Sequence, residues 1–272
     1  LITSEITPAN SLSQSRIDGL LSGYSWTIPA SRVLTYSFYE SSVWKGSYYG
    51  SETGVTEVSE AVKTNVRNIL NWLETVINID FQEVTETSTS DPVGTLRYML
   101  SNNPSYAYAY YPFTHHPVGG DVHLKPSYQN TSSTNGFEQP AGNHGYMALI
   151  HETLHGLGLK HPHEGTALPT VEDNTANTVM SYRFTGNSSG TAMAYDIGAL
   201  QYLYGTKAKE TGDTSYQFTT RVDQFSVNSV LSINTPNLTK QTIWDTGGSD
   251  TLDFSNLGFE SLGYRFDMNE GG

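Results

Sequence analysis

The stretch His151-Glu152-Thr153-Leu154-His155, continuing as Gly156-Leu157-Gly158-Leu159-Lys160-His161, constrains this chain more than any other. On a helix, histidines at i and i+4 project from one face a single turn apart, so both imidazoles reach one ion. Glu152 is rotated around the axis and reaches a water at that ion without replacing it, the position of a general base and not of a ligand. Gly158, three residues after the second histidine, permits positive φ, ends the helix and turns the chain back, which lets His161 approach as a third ligand. Three neutral nitrogens with one open position make the donor set of a catalytic zinc. The chain must therefore bury a helix over about 143–157 and stop it sharply.

Composition narrows the partners. The 272 residues contain no cysteine, so thiolate metal sites, disulfides and cysteine nucleophiles are excluded and any metal rests on His, carboxylate, Tyr or backbone oxygen. Lys+Arg is 14 against Asp+Glu 27, a net charge of −13, and no basic stripe offers itself to phosphates. Nucleic acid is therefore not an expected partner, whereas metal cations are. No apolar run approaches the roughly 20 residues that span a bilayer, so no membrane partner is expected, and the chain is read as a monomer. Leu1 to Asn10 lacks the basic and apolar blocks of a signal peptide.

Along the chain, Arg32 to Tyr39 alternates apolar and polar positions and reads as a strand. From Glu57 to Ile77 the apolar residues fall at helical spacing, with Thr56 as the expected N-cap, which predicts a long helix packed on a sheet. Ile79–Val84 and Thr95–Leu100 read as further strands, and Gly119–Leu124 (GGDVHL) as a short one after a Tyr-rich loop. The Ser/Asn/Gly-rich stretch from Ser127 to Asn143 reads as a surface loop. A third helix is expected from about Ala192 to Tyr204, stopped by Gly205. Beyond it, short β-like runs lie between Gly/Asp/Thr turns. The expected fold class is α+β, a twisted mixed sheet with a long backing helix, an active-site helix and a closing helix. The expected domains are residues 1–205 and a β-rich segment, 206–272.

Asn177-Thr178-Val179-Met180-Ser181-Tyr182 follows the third histidine by about twenty residues. With the extended histidine motif it resembles the metzincins, in which a methionine-containing turn lies beneath the metal. HETLHGLGLKHP (151–162) together with Met-Ser-Tyr is similar to the serralysin branch. That resemblance extends through SGYSW (22–26), LTYSF (34–38), Asp196-Ile197 to Leu203-Tyr204-Gly205, and Ile243 to Thr251. It implies a metzincin-type catalytic domain and a secreted, extracellular zinc endopeptidase acting on extended proteins or peptides. It further implies that Tyr182 binds zinc in the resting enzyme and swings away to support the oxyanion, and that GGDVHL is the rim strand beside which substrate lies.

Asp245 and Asp250 flank two glycines, a hard-oxygen turn that suits calcium, although by itself such a cluster is more often an ordinary Asp–Gly turn. The resemblance favours calcium, with Glu210, Gly212, Thr214, Asp245, Gly247 and Asp250 as the ligand set. The GGxGxD repeat of the calcium-loaded β-roll that serralysins carry does not occur here, and Gly271-Gly272 stand about where that roll would begin, so a form lacking most of it is expected. His115, His116, His123, His144 and His163 lack a helical partner at ligand spacing and are read as loop or cleft-rim residues, with His123 and His163 as candidates to line the cleft. A rival from another class is a non-catalytic, metal-stabilised recognition module of a larger secreted protein. Against it stands Glu152, because a structural zinc site needs no general base. A third reading, an inhibitor or calcium-binding scaffold, calls for peptide binding without turnover.

Overall fold

The computed structural model describes residues 12–113, 117–219, 224–227, 230–234 and 240–256. The readings of Leu1–Asn10, His115, His116 and Gly271-Gly272 fall outside these residues.

Apolar alternation in Leu34, Tyr36 and Phe38 drives β1 (Val33–Phe38) to bury one face, and the chain returns through α3 (Glu60–Leu73) to the parallel neighbour β2 (Asp80–Glu83). On its other side β1 pairs with β3 (Leu96–Leu100), which pairs with β5 (Asp121–Leu124), all parallel. β4 (Ala107–Ala109) closes the sheet antiparallel to β5, giving the order β2-β1-β3-β5-β4. Parallel strands need buried faces, and here the two faces differ. Leu96, Tyr98, Leu100, Val122 and Leu124 join the main core with α3 and α4 (His144–Gly156). The alternate residues Arg97, Asp121 and His123 are also buried, on the opposite face, because strand side chains alternate.

α3 presents Val62, Val66, Ile69, Leu70 and Leu73 to that core as one stripe. Burying each is worth about 1.5–3 kcal/mol, so at most about 15 kcal/mol in sum, since the unfolded chain already buries part of that surface. The helix is shorter than the apolar period predicts. It begins at Glu60 with Ser59 as N-cap, whose Oγ accepts from the Val62 N–H at 3.4 Å. Thr56 instead exchanges two backbone bonds with Leu100, 3.1 and 2.9 Å, extending the sheet and holding Thr56 out of the helix. At the other end Val76 and Ile77 keep their burial in a turn closed by bonds to Leu73 O, both 3.0 Å. Two short helices absent from the sequence reading, α1 (Gln14–Asp18) and α2 (Ser41–Trp44), complete this part.

α5 (Ala194–Tyr204) ends at Gly205 with φ +87°. After it, β6 (Ser215–Thr219), β7 (Gln224–Val227), β8 (Val230–Asn234) and β9 (Thr251–Asn256) form a second sheet in the order β8-β7-β6-β9, antiparallel except for β6 with β9. The whole is a mixed α/β structure with a mostly parallel main sheet. Among the described residues no helix is long and apolar enough to cross a membrane.

β4 overturns one expectation. GGDVHL is not the rim, because Ala107–Ala109 covers the free side of β5 and becomes the edge strand itself. His123 likewise does not line a cleft. It is fully buried, with Tyr48 OH at 3.1 Å, Ser101 Oγ at 3.1 Å and the Tyr108 ring stacked at 5.1 Å. The Val122–Leu124 alternation forces it onto the face away from the main core.

Candidate metal centre and active site

α4 is buried along nearly its whole length, so the histidine motif is held by packing on several sides. Thr153 Oγ1, which donates to Leu149 O at 2.7 Å, also lies 3.0 Å from Tyr98 OH on β3. Beyond the helix end, Gly158 adopts φ +105°, and a Cβ there would stand 2.3 Å from Tyr24 O. Both the conformation and the close approach require glycine. The turn is stitched to the upstream chain by Ser22 N–H to Gly158 O at 3.0 Å, Lys160 N–H to Leu20 O at 2.8 Å and a Leu21–Leu159 bridge. Trp26 Nε1 and Tyr204 OH donate to Gly156 O and Leu157 O at 2.8 and 2.6 Å, satisfying carbonyls that the helix end leaves free.

These constraints converge three imidazoles. His151 Nε2 and His155 Nε2 lie 3.2 and 3.0 Å from His161 Nε2, and one ligand atom from each ring falls within 4.8 Å of the others. Each ring's other nitrogen faces an oxygen that only accepts: His151 Nδ1 meets Val179 O at 2.8 Å, His155 Nδ1 meets Leu159 O at 2.7 Å, and His161 Nδ1 meets Glu164 Oε1 at 2.8 Å. The proton therefore sits on each Nδ1, and three Nε2 lone pairs point at one another. Burial pushes His151 down to about 4 and His155 well below its ordinary value, so both are neutral, as ligation demands. Nitrogens bound tetrahedrally at 2.0–2.1 Å lie about 3.3 Å apart, close to the spacing seen.

Glu152 is 6 % exposed, and burial pushes its carboxyl up to about 8. Its Oε2 is buried without a hydrogen-bond partner. An orphaned carboxylate oxygen on the helix that supplies two of these histidines is costly in a closed core and useful near a metal and its water. The residues present thus fit a metal ion with an open position.

Met180, which follows the Val179 carbonyl that meets His151, is fully buried, and its turn is fixed by Asp196. That carboxylate accepts from Thr178 Oγ1 at 2.5 Å, Val179 N–H at 2.9 Å and Met193 N–H at 2.8 Å. Burial nevertheless holds Asp196 up at about 6. Tyr182 is 59 % exposed and places its hydroxyl 2.7 Å from His161 Nε2, at the point where the lone pairs meet. His163 stacks on His161 at 5.3 Å, and His144 packs between Tyr106 and Phe184. Glu164, which the sequence reading missed, had a signal in its i+3 position after His161.

The six residues of the expected calcium set fall on two loops that touch. Thr214 N–H donates to Asp250 Oδ1 at 3.0 Å, Thr214 Oγ1 to Gly212 O at 3.0 Å, and Ser249 N–H to Asp213 Oδ1 at 2.8 Å. Glu210 and Gly247 shape these loops with φ +49° and +157°. Asp245 accepts from Gly247 N–H at 3.0 Å and Tyr216 OH at 2.5 Å. Among the described residues, the groups of three or more His, Asp or Glu ligand atoms within 4.8 Å are the histidine cluster and His161/His163/Glu164.

No protein-family model matches the chain. Among curated proteins it is 29% identical over 259 residues to a serralysin of Proteus mirabilis, covering 82% of this chain and 49% of that protein. It is 33% identical over 189 residues to serralysin B of Dickeya chrysanthemi, 62% of this chain and 37% of that one. A serralysin of Photorhabdus sp. (strain Az29) is 32% identical over 265 residues, 87% of this chain and 50% of its own length. The chain spans about half the length of the curated relatives it matches. Over most of its own length, then, this chain is serralysin-like.

Proposed function

We propose that the chain is a zinc-dependent endopeptidase of metzincin architecture, secreted and acting on extended polypeptides. Residues 1–205 form its catalytic domain, and 206–272 a β-rich segment that binds calcium. The observation that carries this reading is the convergence of three Nε2 lone pairs, with the next residue of the same helix after His151, Glu152, keeping a buried and unpartnered Oε2. A recognition module stabilised by metal would leave that buried carboxylate without a purpose.

Zinc, if held by His151, His155 and His161, would supply Lewis acidity and lower the pKa of a water to about 7. Glu152, on the same helix and with a buried, unpartnered oxygen, would act as the general base that takes a proton and hands it to the leaving amine. Tyr182, exposed and reaching the same point, is free to turn and donate to the developing oxyanion. β4 offers its free edge to the substrate backbone in the manner of an added strand.

Elemental analysis per chain combined with a casein assay tests the assignment. One zinc per chain, loss of cleavage on treatment with 1,10-phenanthroline and recovery on adding zinc are expected. Turnover that survives complete zinc removal would overturn it. Glu164 gives a second check, since it fixes the tautomer and orientation of His161. Glu164→Ala is expected to weaken zinc binding about 10- to 100-fold, measured by competition with a chelating indicator dye.

A further inference from the structure

β4 is only three residues long, yet it is the strand nearest the histidine helix on the free side of the sheet. Lys125 N–H donates to Tyr106 O at 2.8 Å and Tyr110 N–H to Asp121 O at 2.9 Å, so the even-numbered residues bond inward to β5. By antiparallel alternation the peptide groups of Ala107 and Ala109 point to the open edge. Three residues of ladder hold an edge weakly, and a second device holds this one. Tyr108 and Tyr110, on one side of the strand, both donate to Glu52 Oε1, at 2.8 and 2.5 Å. Glu52 is 8 % exposed. Its loop is itself tied to the sheet: Tyr48 and Tyr49 hydroxyls donate to Asp121 Oδ2 at 2.6 and 2.7 Å, and Thr53 N–H donates to Asn103 Oδ1 at 2.9 Å. Burial acts to raise the Glu52 carboxyl, but the Tyr110 and Tyr108 hydroxyls hold it below its ordinary range.

We propose that Glu52 is a positioning residue for substrate: by gripping the Tyr108 and Tyr110 hydroxyls it sets the height of β4, so that the outward peptide groups of Ala107 and Ala109 meet an extended peptide lying across the histidine cluster. This rests on the endopeptidase reading. It places the determinant of peptide affinity on the face of the sheet opposite the histidines, in a residue that never touches substrate.

The test compares Glu52→Ala with Glu52→Gln, which keeps an acceptor oxygen. For a peptide of about eight residues, Glu52→Ala is expected to raise KM roughly tenfold, about one hydrogen-bonded contact's worth, with kcat changed less than about threefold. Glu52→Gln restores KM. A short substrate that does not reach β4 shows no change in KM. Hydrogen exchange at residues 107–111 rises in Glu52→Ala and returns to wild type in Glu52→Gln, with zinc content constant. Tyr108→Phe and Tyr110→Phe, each removing one hydroxyl, give smaller KM increases and serve if Glu52→Ala fails to fold. A parallel rise in KM for long and short substrates, or unchanged exchange at 107–111, overturns the proposal. The exchange measurement needs no turnover, so a wild-type protein that cleaves nothing defeats the endopeptidase reading and leaves the grip on β4 to be judged separately.

Discussion

Glu152→Gln is expected to lower kcat/KM for peptide cleavage by roughly 10²–10⁴-fold while zinc content stays at the wild-type level. The substitution is nearly isosteric, and Glu152 lies outside the three-nitrogen cluster, so the ligands keep their own anchors at Val179, Leu159 and Glu164. What disappears is the ability to accept a proton. A second signature comes from the metal-free protein. The folded carboxyl is held at about 8 against an ordinary 4.5, so the folded state binds the proton more tightly than the unfolded chain does. The Glu152 contribution to stability is then full below about 4.5 and is lost as pH rises through about 8. Denaturant titrations of the two metal-free proteins across that window should show wild type losing stability relative to Glu152→Gln as pH rises. The raised carboxyls of Asp121 and Asp196, and the lowered imidazoles of His151, His155 and His123 that oppose them in the lower part of the window, contribute equally to both and cancel in the difference. Cleavage by Glu152→Gln at the wild-type rate would remove Glu152 from the mechanism.

The largest loss of stability is expected on the opposite face of the sheet. Arg97, fully buried, gives Nε and Nη2 to Glu86 at 2.7 and 2.6 Å. Its guanidinium carbon lies 4.5 Å from the centre of the Trp44 ring and 5.0 and 5.3 Å from those of Tyr39 and Tyr49. Ser37 Oγ donates to Glu86 Oε1 at 2.8 Å. Glu86→Ala strands a cation in that aromatic box, and such losses run to about 3–5 kcal/mol. For a chain of this size that corresponds to a fall in Tm of roughly 10 °C. The pair itself need not be stabilising, because apolar replacements of similar volume often serve as well. Glu86→Leu combined with Arg97→Met is therefore expected to recover much of the loss. If Glu86→Ala and the double variant unfold at the same temperature, the stranded charge is not the cause.

Much of the architecture was legible because certain residues carry both a start and a stop. The histidine helix announced itself through spacing, and Gly158 ended it. The alternation in 32–39 and the spacing in 57–77 each point to a single buried face. Less legible were places where a distant partner decides a local outcome. Thr56 has the chemistry of an N-cap, but Leu100 takes it into the sheet, and Ser59 caps instead. Ala107-Tyr108-Ala109 has neither the length nor the pattern of a strand; β5 and Glu52 make it one. The resemblance offers His123 to the cleft, but pleat alternation on β5 turns it to the other face of the sheet. The spacing named His151, His155 and His161, while the Glu164 contact to His161 depends on how the chain turns after the third histidine.

The stitching around Gly158 bears on what sets the register of the histidine cluster. The turn that delivers His161 is held at one end by Gly19, whose carbonyl accepts from Lys160 Nζ across 141 residues. At the other, Tyr204 bonds to Leu157 across 47. Ties of that span carry a loop-closure cost that a local turn would not, so the register of the histidine turn is referred to both ends of the first 204 residues and is a property of the folded whole, not of its own segment.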